Sequence, residues 1–166
     1  MNNNKKDVYG VGPIYGLVVG ILTITSIVLS VLNIIPGRIN NKIIVLILII
    51  LGICFMVYGF ILWKRAVIDN KLVEDYIEKD KLCTEGVYSI VRNPCYTGVM
   101  FICTGIILML HNIFLFILPF IFWGIMTIFV KGKEEKYLLE KYKKEYINYC
   151  KNVNRCIPWV RKKWVK

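Results

Sequence analysis

At 166 residues the chain has the length of one domain, and a hydrophobic fraction of 57% with a mean hydropathy of +0.57 excludes an ordinary soluble fold of this size. The formal net charge of +11 is not a nucleic-acid footprint here, because basic residues flanking apolar runs serve orientation and contact with anionic lipid.

In chain order, residues 1–7 read as a frayed tail. Gly10, Gly12, Gly16 and Gly20 fall at the small-residue spacing that can seat a neighbouring membrane helix, although ordinary glycine frequency explains them equally well. Residues 14–35 form a run of 22 without a charge and residues 43–63 a run of 21, each sufficient for one crossing of a hydrocarbon core that needs roughly 20 helical residues. The first run is longer than a signal-peptide core and no small-residue cleavage site follows, so it is kept as a span. Pro36-Gly37-Arg38 is a turn between the two.

From residue 64 to residue 80 the pairs Val67-Ile68, Leu72-Val73 and Tyr76-Ile77 recur about once per turn between charges. That pattern predicts an amphipathic helix at the membrane interface, with a solvated loop as the alternative. Thr84-Glu85-Gly86 predicts a turn, and residues 87–91 an extended segment. Asn93 before a proline is biased away from α-helix, and Pro94 suits the first turn of the next helix. Residues 99–130 are too long an apolar run for one span and divide into helices 94–110 and 113–131, joined at His111-Asn112, which read as a solvated corner.

The tail carries a second amphipathic helix, residues 133–150, with Tyr137, Leu138, Tyr142, Tyr146 and Tyr149 on one stripe. The stripe suits packing of this helix on the bundle or on headgroups; a direct cofactor role is the alternative. Ile157-Pro158-Trp159 ends the helix, and Trp159 and Trp164 resemble interfacial anchors. The expected fold is therefore an all-α integral membrane protein forming a single domain over residues 1–166. It has four transmembrane helices, cytoplasmic amphipathic segments, a polar loop at 82–98 and a C-terminal helix and tail at 132–166.

Twenty of the 22 lysines and arginines then lie on one side of the membrane, and only Arg38 and Lys42 on the other. The positive-inside rule places both termini in the cytoplasm. The six cysteines form no C-x-x-C, and the single His111 lies on the opposite side from the cytoplasmic thiols, so no metal site is expected. A composition leaning to Ile, Lys and Asn is compatible with a bacterial cytoplasmic membrane.

The loop at 82–98 is the candidate site, since polar backbone near hydrocarbon is tolerated only where protein buries it or where it lines a wet cavity. An antiparallel third and fourth helix would bring Arg92 and the helix start at Pro94 to the same membrane face as Lys131, Lys133, Glu134 and Glu135. Helix-start N–H groups and a guanidinium suit an anion, and a carboxylate suits an ammonium, so a zwitterionic amino-acid group could be held at both poles. A structural ion pair between Arg92 and the glutamates is the equal alternative.

The arrangement L-x-T-x-G-x-Y-x-x-V-R-N-P-x-Y-x-G over residues 82–98, the apolar hairpin, the E-E pair at 134–135 and a tail ending near I-P resembles the isoprenylcysteine carboxyl methyltransferase family and the related phospholipid methyltransferases. The resemblance covers about half the chain, residues 81–158. It implies a small integral-membrane enzyme that uses S-adenosylmethionine to methylate a lipophilic or lipid acceptor. It further implies that Arg92, Asn93, Pro94 and Tyr96 build one wall of the cofactor pocket, that Gly98 permits close approach, and that Glu134 or Glu135 engages the polar end of the cofactor or places the substrate. Gly86 and Tyr88 match the lead-in. Arg92, Lys131 and Glu135 are the candidate catalytic residues, Glu135 as a base where the acceptor needs deprotonation. Asn93 stands where the signature has His, Lys131 and Lys133 where carboxyl-methylating relatives have Arg, and Lys143 where the tail often has Gly, so plain helix is expected at that point. No nucleic acid partner is expected. An NADPH-dependent membrane reductase with a similar hairpin and a non-catalytic four-helix membrane protein are the competing functional readings.

Overall fold

A computed structural model of the chain describes residues 12–158; the frayed tail, Gly10 and the two tryptophan anchors at 159 and 164 lie outside the described residues. The elements are α1 (Gly12–Val31), α2 (Lys42–Ile68), α3 (Asn70–Glu78), α4 (Pro94–Met109), α5 (Leu118–Phe129) and α6 (Glu135–Asn152). Short 3-10 turns occupy Gly86–Ser89 and Ile113–Ile117, and a π-turn, Val130–Glu134, joins α5 to α6.

The chain is an all-α protein of several spans. Three helical stretches among the described residues are long and apolar enough to cross a membrane: Gly12–Val31, Lys42–Ile68 and the continuous run Ile113–Asn152. The expected third span is shorter. Pro94–Met109 has 16 residues, about 24 Å at the helical rise, and so falls below a full crossing of hydrocarbon. Its surroundings explain why it need not be long, for nine of those residues are buried inside the protein. It packs against α1, α2 and α5, while α2 turns most of its apolar surface outward.

Asn41 caps α2, its Oδ1 accepting from the N–H groups of Ile43 and Ile44 at 3.0 and 3.2 Å. The helix then runs on to Ile68, so residues 64–68 belong to it rather than to the following interfacial segment. The α2–α4 seam is made by two glycine pairs. A β-carbon on Gly52 would stand 2.6 Å from the Gly105 carbonyl oxygen, and one on Gly59 2.7 Å from that of Gly98. Such backbone approach is open only to glycine. The glycines singled out in α1 do not serve this purpose, since Gly16 and Gly20 face open space.

The corner away from the candidate site is not solvated as expected. Asn112 is only 1% exposed. Its Nδ2 donates to the carbonyls of Ile35 and Pro36 at 3.3 and 3.1 Å, and its Oδ1 accepts from Phe114 N at 3.0 Å. Arg38 Nε donates to His111 Nε2 at 2.9 Å, so the two corners of the bundle are stitched together at this end.

The candidate site between the loop, α4 and α6

The loop between α3 and α4 is buried and its backbone is used. Residues 87–91 are not extended: Gly86–Ser89 form a 3-10 turn that starts at a left-handed Gly86 (φ +57°). Asp69, at the α2–α3 junction, accepts from Val87 N at 2.8 Å. Val87 and Val91 pack on Leu62 and Ala66 of α2, with Tyr88 against them. The loop is thus seated on the C-terminal end of α2.

The tyrosine stripe of α6 closes over the other side. Tyr146 and Tyr149 are buried with Leu82 and Val153, while Tyr137 is exposed. Tyr149 donates its hydroxyl to the Tyr88 carbonyl at 2.6 Å and Tyr142 to that of Lys81 at 3.1 Å. The stripe therefore fastens α6 to the loop, as the packing alternative expected. Burial pushes the Tyr149 phenol well above its ordinary range. Burial, then the charge of Glu135, does the same for Tyr146 against the opposing pull of Arg92. Both remain protonated at neutral pH.

The start of α4 and the start of α6 meet as the hairpin argument required. Arg92 Nη1 lies 3.1 Å from Glu135 Oε1, the two side chains being 10% and 12% exposed. The same nitrogen donates to the Tyr146 hydroxyl at 3.3 Å and to Cys150 Sγ, and the guanidinium carbon stands 5.9 Å from the Tyr146 ring centroid. Tyr96 donates its hydroxyl to Glu134 Oε1. Each member of the acidic pair is therefore tied to a different residue of R-N-P-x-Y. Pro94 sits buried at the first helical turn. Asn93 makes no cap bond with its side chain; its Nδ2 donates to the Arg155 carbonyl at 3.1 Å.

Arg155 was not singled out from sequence. It grips Glu135 with a bidentate fork, Nε to Oε1 at 2.8 Å and Nη2 to Oε2 at 2.7 Å, and the bond to Glu135 raises its affinity for the proton. A signal was present, since Arg155 is the one arginine among the lysines of residues 131–158 and only arginine presents a planar fork to a carboxylate.

Together these residues line an open groove of about 520 Å³, bounded by Arg92, Lys131, Glu135, Leu139, Tyr146 and Arg155, with Lys136, Ile147, Cys150 and Lys151 completing it. That size is within the range of small-molecule sites. Two candidates fall elsewhere. Gly98 presents its missing side chain to Gly59 and Trp63 of α2, so the close approach it permits is that of a helix. Tyr88 packs beneath the loop. Arg92, Lys131 and Glu135 line the groove; Asn93, Pro94, Tyr96 and Glu134, expected in the pocket, are not among its lining residues.

The family model described as phospholipid methyltransferase matches residues 40–145. The chain belongs to the phospholipid methyltransferase family. The match takes in the whole α2–α4 seam, the loop and both glutamates. Within curated proteins the chain is 30% identical over 116 residues to protein-S-isoprenylcysteine O-methyltransferase B of Arabidopsis thaliana, covering 66% of this chain and 58% of that protein. It is 33% identical over 95 residues to protein-S-isoprenylcysteine O-methyltransferase of Saccharomyces cerevisiae, covering 57% of this chain and 38% of that protein. The chain thus spans less than two thirds of the length of either relative. No solved structure matches it.

Proposed function

We propose that this member of the phospholipid methyltransferase family is a membrane-embedded S-adenosylmethionine-dependent methyltransferase acting on a lipophilic or lipid acceptor, with its site in the Arg92–Glu135 groove. The observation that carries the proposal is the meeting of R-N-P-x-Y with E-E, Arg92 to Glu135 at 3.1 Å and Tyr96 to Glu134 across the hairpin. The names of the two relatives support the same chemistry.

The residues present fit an amino-acid-bearing cofactor. Arg92 Nε is buried with no hydrogen-bond partner among the described residues, an arrangement that costs free energy unless an acceptor arrives. When bound, S-adenosylmethionine supplies a methyl group already activated on a sulfonium, so alignment of the acceptor supplies much of the catalysis. In this reading Arg92 binds the cofactor's anionic group, Asn93 and Pro94 shape the wall behind it, and Tyr96 orients Glu134. Lys131, exposed at the rim, attracts an anionic acceptor as a point charge. Both oxygens of Glu135 are taken by guanidinium groups, so a base role would require one to be released.

The proposed setting is a single membrane domain with four membrane-inserted helices, α4 being the short one, α3 and α6 at the cytoplasmic interface, and both termini in the cytoplasm of a bacterial cell. A polar cofactor then arrives from the cytosol and the acceptor from the bilayer.

Calorimetric titration of the detergent-purified protein with S-adenosylhomocysteine, with NADPH in a parallel cell, tests the proposal. Saturable binding of the first is expected, at least about tenfold weaker in Arg92→Ala for the loss of a charge-assisted contact and unchanged in His111→Ala. Binding of NADPH alone would overturn the methyltransferase reading.

A further inference from the structure

Glu135 is approached from two directions. Arg92 comes from the loop ahead of α4, Arg155 from the segment beyond α6, and the carboxylate lies between them. The backbone around Arg155 is itself tied down. Asn154 O accepts from Arg92 N at 2.9 Å and Arg155 O accepts from Asn93 Nδ2 at 3.1 Å. Two guanidiniums against one carboxylate leave a positive charge in excess. The rest of the lining adds Lys131, Lys136 and Lys151 and no second carboxylate. An ammonium entering this groove meets a Glu135 carboxylate already engaged by two guanidiniums, whereas an anion meets a lining whose other charged side chains are all cationic.

We propose that Arg155 is a positioning residue of the site: its bidentate hold on Glu135 sets that carboxylate against Arg92, and the Arg92–Glu135–Arg155 array is a seat for the carboxylate of the bound cofactor rather than for its ammonium. The proposal rests on the methyltransferase reading and reverses the role expected of Glu135 from sequence. Arg155 also lies beyond the residues matched by the family model, which end at 145. The bidentate geometry is essential to the argument, because a fork fixes the plane of the carboxylate where a lysine would fix only a distance.

The test compares two ligands on three proteins. Wild type, Arg155→Lys and Arg155→Ala are titrated with S-adenosylhomocysteine and with its decarboxylated analogue, S-adenosyl-3-thiopropylamine. Wild type should prefer the carboxylate-bearing ligand. Arg155→Ala should weaken that ligand by about tenfold or more while changing affinity for the analogue by less than about twofold. Arg155→Lys, which keeps the charge and loses the fork, should show the same selective loss at smaller size, and it carries the comparison if the alanine variant does not purify as a monodisperse species. An equal loss for both ligands, or no loss for either, would overturn the role of Arg155. A wild-type protein that binds neither ligand would instead overturn the methyltransferase reading.

Discussion

Gly52 and Gly105 stand so close across the α2–α4 seam that a β-carbon on Gly105 would lie 2.5 Å from the Gly52 carbonyl oxygen. The obstacle is backbone, which cannot swing aside as a flexible side chain would. Seven residues along each helix, Gly59 and Gly98 repeat the contact, so α2 and α4 touch backbone to backbone over two turns. The start of α4 and the loop before it take their places from this seam.

Gly105→Ala should therefore destabilise the bundle by roughly 1–3 kcal/mol, the usual cost of overpacking a well-filled interface. Gly16→Ala, with nothing within 4 Å of the new methyl, should leave the bundle no less stable and add about 0.5–1 kcal/mol through helix propensity. Thermal unfolding of the two variants in one detergent makes the comparison, and equal melting temperatures would contradict the seam.

Lys143 departs from the plain helix expected at its position. It lies inside α6 with φ 46° and ψ −113°, a conformation a side chain with a β-carbon adopts only at a cost of about 1–3 kcal/mol. Lys143→Gly should release part of that strain and stabilise the protein by up to about 1 kcal/mol, seen as a higher melting temperature. Lys144→Gly, one residue on and helical, should have the opposite sign.

Alkaline pH should loosen the fold in a definite window. Burial pushes the Cys156 thiol from its ordinary 9.0 up to about 11. Above pH 9 the unfolded chain releases that proton while the folded chain keeps it. Stability present below pH 9 is then lost as pH rises towards 11, at up to about 1.4 kcal/mol per pH unit for the one group. Cys83, also raised by burial, acts in the same sense. Melting curves across pH 8–11 should fall less steeply in Cys156→Ser than in the parent protein.

How far the fold could be read from sequence follows from the range of each interaction. The apolar runs and Pro94 at a helix start are local features, and both were legible. The meeting of Arg92 with Glu135 needed only the antiparallel sense of one hairpin. Residues 64–68 were read one element too late because their charges interrupt an apolar run that the backbone continues as helix to Ile68. The glycine seam pairs positions far apart in sequence, and neither partner advertises the other. The same holds for Asn112, whose three hydrogen-bonding partners lie in two different corners, and for Arg155, whose value depends on where the chain goes after α6.

The unequal lengths of α2 and α4 bear on how the site is supplied. Gly98 faces Gly59, so Pro94 lies near the level of Trp63, and α2 extends beyond it to Ile68, about 7 Å further at the helical rise. Arg92 of the groove, two residues ahead of Pro94, therefore stands level with the last turns of α2 rather than beyond its end. On the proposed function, an amphiphile diffusing within the leaflet reaches that level by sideways drift, without being extracted into water. Its surface density and partitioning, rather than its aqueous concentration, would set the encounter rate.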